Sequence, residues 1–433
     1  MIINIFLTII LIISIILNFI NYEYFLLLLS IMWYIASILI IYSGIKYSIK
    51  YKLLQLNLKN IIKAIKSKSK NNISPLSSLC LSLAAKIGVG SLSGVALAIY
   101  YGGIGTIFWI ILFSLIVVIN TYVECILGIN YRKKINNSFW GGPSYYIKKC
   151  LNNKYLSYLY SILIIIGYSG LFLSIQSNTI ISTVNYFNID TNYIVIILFI
   201  ITLLIIKRGI KCISKINSLL VPLMLIIYFI LGIYIFIINI SIIPSLIIKI
   251  LKEAFNIKSI ISTCLIGMQR AIFITESSIG TSAISASSCD NDKDKQAMLE
   301  VLGIYITVFI VCLTTFIIIV TSNYNILNLK HINGIEIVLY AFKYHFGSSG
   351  SFILSLITIL FAFSTIISSY FFGESNLTFI TNKKIYSILY RIFFMIVITA
   401  SSYIKANVLW NLTDFLVAIL TIINTYSILK INK

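Results

Sequence analysis

Charge is scarce in this chain, and acidic charge is scarcest. Of 433 residues only 10% are charged, and Asp and Glu together number 12. Soluble domains carry about 25% charged residues, so a soluble globular reading is excluded. Histidine occurs twice, and His331 and His345 are too isolated for a metal cluster. The seven cysteines (Cys80, Cys125, Cys150, Cys212, Cys264, Cys289 and Cys312) are odd in number and show no paired spacing. That pattern argues against a disulfide framework or a metal site and for small buried core residues. No carboxylate pair has hydrolase spacing, and no nucleophile motif or nucleotide-binding loop occurs. An enzyme reading therefore has little to work with. No polar connection is long enough to enclose a core of its own.

What fills the chain instead is apolar: 59% of residues are hydrophobic, and the mean hydropathy is +1.01. Spanning helices need runs of about 20 such residues. Runs occur near 1–20, 25–47, 77–101, 103–130, 157–185, 192–206, 216–240, 259–287, 297–321, 350–373, 385–402 and 408–429. The expected fold class is all-α, a polytopic membrane protein of about 11–12 spans. Residues 1–20 lack a basic start and a small-residue cleavage site, which predicts a retained span rather than a signal peptide. The stretch 51–72 alternates lysines with apolar residues at helical spacing and reads as an amphipathic helix on the membrane surface. Residues 243–256 and 333–345 read as short amphipathic segments on the opposite side.

The net charge of +21 does not indicate a nucleic-acid binder. Its lysines and arginines gather in connections that emerge on one side, around 46–70, 132–154 and 207–215. Positive loops face the cytoplasm. The expectation is a multi-pass protein of the cytoplasmic membrane with a cytoplasmic N-terminus.

Two apolar stretches are interrupted. One reads Ala84-Ala85-Lys86-Ile87-Gly88-Val89-Gly90-Ser91, the other Phe273-Ile274-Thr275-Glu276-Ser277-Ser278-Ile279-Gly280. Glycine is common in spans merely for close helix packing. Within a bilayer, however, unwound backbone is tolerated only where protein or a cavity satisfies its polar groups. A matched pair of broken spans points to the substrate site of a secondary transporter, with half-helix amides facing a carboxylate and freed carbonyls facing a cation. The blocks 76–242 and 243–433 each contain five spans opening on a broken one, an inverted repeat, after an N-terminal block 1–75.

Acidic groups at bilayer depth are functional candidates. Glu276 lies in the second break, where it either serves the site or locks the unwound geometry, with Arg270 within reach across the break. Glu124 reads as a gate or structural residue near Arg132. Asp414 reads as a gate, a cap or a snorkelling group. Gln176 and Asn178 form a polar face toward the bundle. Ser364 and Thr365 offer hydroxyls which, opposite a broken helix, make a hard-oxygen sodium site.

At these residues the chain resembles the alanine/glycine–cation symporter family, whose members have a LeuT-type fold. The resemblance runs from about Ser43 to Asn424, through Gly88 to Ile99, Gly102 to Tyr131, Gly141-Gly142-Pro143-Ser144-Tyr145-Tyr146, Arg270 to Gly280 and Phe361 to Glu374. It implies sodium-driven import of a small neutral amino acid by alternating access, with no cofactor beyond the coupling ion and no obligatory protein partner. By that resemblance Gly88, Val89, Gly90, Ser91, Gln176, Phe273, Ile274, Thr275 and Ser369 contact the substrate. Carbonyls of Ala84 and Ile87 join Ser364 and Thr365 around sodium.

The chain also departs from the pattern. Val89 and Ser91 replace Thr and Asn in Gly-Thr-Gly-Asn. Ile274, Thr275 and Ser278 replace Ser, Asn and Gly in Ser-Asn-Glu-Ala-Gly. Ser369 stands for a Trp and Thr307 for an Asp. A lost indole enlarges the pocket, and lost amides weaken its hydrogen bonds, so substrates other than alanine remain open. So do proton coupling through Glu276 and a non-transporting sensor.

Overall fold

A computed structural model describes residues 22–67, 73–135, 138–187, 189–322, 334–401 and 406–432. The expected span 1–20, His331 and the end of the 51–72 stretch lie outside the described residues. Among those described, nine helices are long and apolar enough to cross a membrane, and Thr191–Ile206 and Ile260–Thr275 are shorter apolar helices. The protein is a polytopic all-α membrane protein.

Helix α1 (Tyr22–Lys50) packs on α5 (Thr106–Asn130) where Gly44 lets the backbones meet. A Cβ there would lie 2.6 Å from the Ile116 carbonyl oxygen. Between them come α2 (Leu58–Ile65), α3 (Pro75–Lys86) and α4 (Val89–Gly102). The α3–α4 span is the bundle's centre, 94% buried across its apolar window, against 28% for the rim helix at 384–401. Ser74 caps α3 by accepting the Ser77 N–H, and Pro75 sits in its first turn, where no N–H is needed.

The chain continues through α6 (Pro143–Cys150), α7 (Lys154–Ile166) and α8 (Leu173–Asn185), the last two joined by a π-helical stretch at Gly167–Phe172. Then follow α9 (Thr191–Ile206), α10 (Ile210–Ile238) and the short α11 (Ile243–Ala254). Glu253 of α11 caps α5 from outside, accepting the N–H groups of Ile104 at 2.9 Å and Gly105 at 3.3 Å. The second interrupted span is α12 (Ile260–Thr275) plus α13 (Thr281–Ser287). Helix α14 (Lys293–Tyr305) passes through a second π stretch, Ile306–Cys312, into α15 (Leu313–Val320). Helix α16 (Gly334–Ile380) bends at Gly347, where φ is 64°, and α17 (Lys384–Ser401) and α18 (Ala406–Ile431) complete the bundle.

Two connections carry structure of their own. The 51–72 stretch contains the expected amphipathic helix, which also docks on the bundle. Its described part is a 3-10 turn, Leu54–Leu56, then α2, docked on α14 with Ile61 and Ala64 buried, while Lys59, Lys63 and Lys66 and the apolar Leu58, Ile62 and Ile65 are exposed. The Tyr305 hydroxyl fixes it by donating to the Gln55 carbonyl at 2.8 Å. The basic connection after α5 is also structured, with antiparallel strands β1 (Lys133–Ile135) and β2 (Ser138–Trp140), Lys133 opposite Trp140.

Candidate functional site

The first break is local and sharp. Gly88 has ψ −173°, outside the helical range, so α3 stops at Lys86 and α4 restarts at Val89. The loosened groups are taken by side chains from elsewhere. Val89 N–H donates to Gln176 Oε1 at 3.2 Å. Thr365 Oγ1 donates to the Ala84 carbonyl at 2.6 Å and shares its proton with Phe361 O at 2.9 Å. Ser91 Oγ folds back on the carbonyls of Ile87 and Gly88, both at 2.9 Å. Glycine is required at 88, since a Cβ would stand 2.4 Å from Thr365 Oγ1 and 3.2 Å from Gln176 Nε2.

The second break is strained. Glu276 (φ 49°) and Ser278 (φ 62°) occupy the left-handed region although neither is glycine, and Gly280 follows at φ 109°. Such a conformation costs about 1–2 kcal/mol per residue and persists only where neighbours enforce it. They do so here. Tyr160 O–H donates to Ile279 O at 2.6 Å, Asn424 Nδ2 to Ser278 O at 3.0 Å, and Ser277 Oγ to Val117 O at 2.7 Å. Glu276 accepts Tyr168 O–H at 3.0 Å on one oxygen and Thr281 O–H at 2.6 Å on the other. Tyr168 comes from the π-helical stretch, a distortion frequent at functional sites. The carboxylate therefore clamps the break through hydroxyls.

The two breaks meet. A Cβ on Gly90 would lie 2.6 Å from Cε1 of Phe273, so the ring of one broken span lies flush against the backbone of the other. Gly88, Gln176, Thr365, Ala84, Ile87 and Ser91 are thereby gathered at one break, with Gly90 and Phe273 at the contact. Ile274 and Thr275 are buried beside them; Thr275 Oγ1 bonds back to Ala271 O at 2.7 Å. Ser364 bonds to Phe361 O in its own helix at 2.9 Å. Ser369 stands one turn beyond Thr365 with a buried hydroxyl that has no partner among the described residues.

A cavity of about 640 Å³ lies at the lysine-poor end, walled by Leu97, Tyr101, Arg270, Trp410 and Asp414 among others, and none of the break residues lines it. Phe273 separates the two. Its ring packs on Trp410 at 5.5 Å and on Phe172 at 5.6 Å, and Phe172 stacks on Tyr168 at 4.5 Å. An unbroken aromatic ladder thus runs from the cavity floor to the Glu276 clamp.

The charged groups pair otherwise than their sequence neighbours suggest. Arg270 reaches Asp414, not Glu276, with contacts of 2.9 and 3.4 Å, and lies 5.7 Å from both the Phe273 and Trp410 rings. Asp414 is therefore neither a cap nor a snorkelling group. Glu124 does not meet Arg132; it accepts Asn424 Nδ2 at 2.8 Å, and Tyr146 donates its hydroxyl to the same amide's oxygen. Arg132 binds Asp290 at 3.0 Å instead. Burial pulls that guanidinium below its ordinary value, while Asp290 pulls it back.

One pair escaped the sequence reading. Lys86, at the end of α3, bonds Glu300 of α14 at 3.2 Å with both side chains fully enclosed, and Ser82 donates to the same carboxylate oxygen. The available signal was that a cation within a span requires a partner.

The family model for the sodium:alanine symporter family matches residues 18–433. The probable sodium/glutamine symporter GlnT of Bacillus subtilis is 30% identical over 409 residues, covering 92% of this chain and 85% of that protein. The amino-acid carrier protein AlsT of the same organism is 29% identical over 83% of this chain and 78% of its own length. The sodium/alanine symporter AgcS of Methanococcus maripaludis is 28% identical over 84% and 83%. The chain belongs to the sodium:alanine symporter family and is a membrane transporter, not an enzyme.

Proposed function

We propose that this protein imports a small neutral amino acid across the cytoplasmic membrane, coupled to sodium, by alternating access. The observation that carries this reading is the contact of the two breaks at Gly90 and Phe273. There the positive N-terminal end of α4 meets the negative C-terminal end of α12. An amino acid presents the complementary pair: its carboxylate suits the α4 amides from Gly88 to Ser91, its ammonium the carbonyls of Phe273 to Thr275. The substrate enters as Phe273 swings aside, with Gln176, Ile274 and Ser369 shaping the rest of the pocket.

Sodium takes the oxygens that already converge on the first break. The Thr365 hydroxyl and the Ala84 carbonyl are 2.6 Å apart, and rotating the hydroxyl turns a donor–acceptor pair into two ligands. Ser364 and the Ile87 carbonyl add to them once Ser91 releases the latter. Hard oxygen donors of this kind suit an alkali cation. The cycle closes the Arg270–Asp414 side and opens the opposite one, where Glu124, Asn424 and Tyr146 hold the second break. We read 76–242 and 243–433 as the inverted repeats of a LeuT-type fold, with the lysine-rich end and the N-terminus in the cytoplasm.

A second reading is proton coupling through Glu276, favoured by a fully enclosed carboxyl held only by hydroxyls. Uptake of a radiolabelled amino-acid panel into proteoliposomes, under a sodium gradient or a pH gradient alone, separates the two. Sodium-driven accumulation is expected. Accumulation that ignores sodium and follows pH rejects the sodium reading, and an amino acid that binds without uptake indicates a sensor.

A further inference from the structure

A groove of about 380 Å³ runs between α9 and α17, lined by none of the residues of the two breaks. Phe199, Leu203 and Lys207 line it from α9 and Arg391, Met395 and Thr399 from α17, each set at four-residue intervals and so on one helix face. The helices run in opposite directions. Both ladders therefore begin with a cation at the lysine-rich end and become apolar with depth. Thr399 is no exception, because its hydroxyl bonds back to Ile396 O at 2.8 Å. Eight residues of helix cover about 12 Å, most of the roughly 15 Å hydrocarbon depth of one leaflet.

No acidic side chain lines the groove, although Glu374 attracts Arg391 from behind it. The ion pairs among the described residues are Lys86–Glu300, Arg132–Asp290 and Arg270–Asp414, none of which includes Lys207 or Arg391. Arg391 Nε is buried with no hydrogen-bond partner. Tyr370 and Glu374 lie behind the guanidinium: it hydrogen-bonds the Tyr370 oxygen and is attracted by Glu374, to which Tyr370 gives its hydroxyl at 3.2 Å. A buried guanidinium N–H without an acceptor is costly, the more so within a bilayer.

We propose that this groove is a binding site for an anionic phospholipid. Its phosphate bridges Lys207 and the accessible part of the half-buried Arg391 guanidinium. One acyl chain lies along Leu203, Phe199 and Met395. Basic pockets between spans recognise headgroups in this way.

Native mass spectrometry of the full chain in detergent, titrated with phosphatidylglycerol or phosphatidylcholine of matched chains, tests the assignment. Phosphatidylglycerol is expected to be retained preferentially. Lys207→Gln should weaken it about fivefold, as loss of one cation near a headgroup does. Arg208→Gln, the adjacent charge outside the groove, should leave it unchanged. Lys207 is exposed, so that variant does not threaten folding. Arg391→Gln should weaken binding as well, and Arg391→Lys should restore part of it. Equal retention of both lipids, equal effects of the Lys207 and Arg208 variants, displacement by excess inorganic phosphate, or a second copy of the chain in place of lipid would each overturn the proposal.

Discussion

Phe273 and Gly90, 183 positions apart in the chain, touch so closely that a single methyl group on the glycine would stand 2.6 Å from the ring. Gly90→Leu should therefore abolish uptake in proteoliposomes, whereas Cys125→Ala, which removes one buried sulfur atom, should be mild. Gly90→Ala should lose most uptake and regain part of it when combined with Phe273→Leu, which vacates the contested space. The opposite ranking of Gly90→Leu and Cys125→Ala would count against the site.

Lys86 and Glu300 stabilise the bundle only as a pair. Removing one partner leaves a buried charge alone and costs about 3–5 kcal/mol, while replacing both with apolar residues of similar volume is often neutral. Lys86→Met should lower the thermal unfolding temperature in detergent markedly, and Lys86→Met with Glu300→Leu should recover most of the loss. Additive losses in the double variant would show that the two residues act independently.

Thr365 is expected to set sodium affinity. Thr365→Val keeps the shape and removes the oxygen, so half-maximal uptake should need about tenfold more sodium, the factor that corresponds to roughly 1.4 kcal/mol. Thr365→Ser should stay near wild type. A valine variant with unchanged sodium dependence would remove this residue from the cation site.

Asn424 joins four elements, with its amide bonded to Glu124, to the Ser278 carbonyl and to Tyr146. Asn424→Leu leaves these buried groups without a partner, at about 1–3 kcal/mol each. Hydrogen exchange around 276–280 should accelerate in that variant while exchange in α3 stays unchanged. Uniform acceleration throughout the bundle would mean that Asn424 supports global packing and not the break.

Hydropathy located most of the helices within a few residues, because a bilayer demands long apolar runs whatever the tertiary contacts. The breaks were legible for the same reason: Gly88, Gly90 and Gly280 stand out in stretches otherwise suited to continuous helix. Pairings were not. Glu300 follows Lys293, Asp294 and Lys295 and reads as the polar start of a span, although its partner lies 214 residues earlier. Arg132 looked like the neighbour of Glu124, yet it lies beyond the end of α5 and turns to Asp290. The π-helical stretches leave no mark in hydropathy, so the route of Tyr168 to Glu276 could not be read from the sequence.

Sodium-dependent binding of the transported amino acid to purified protein, compared between wild type and a folded Gly90→Leu variant, probes the meeting of the two breaks most directly. Binding should require sodium in the wild type and vanish in the variant. Full-strength, sodium-dependent binding to Gly90→Leu would place the substrate elsewhere in the bundle and contradict the account.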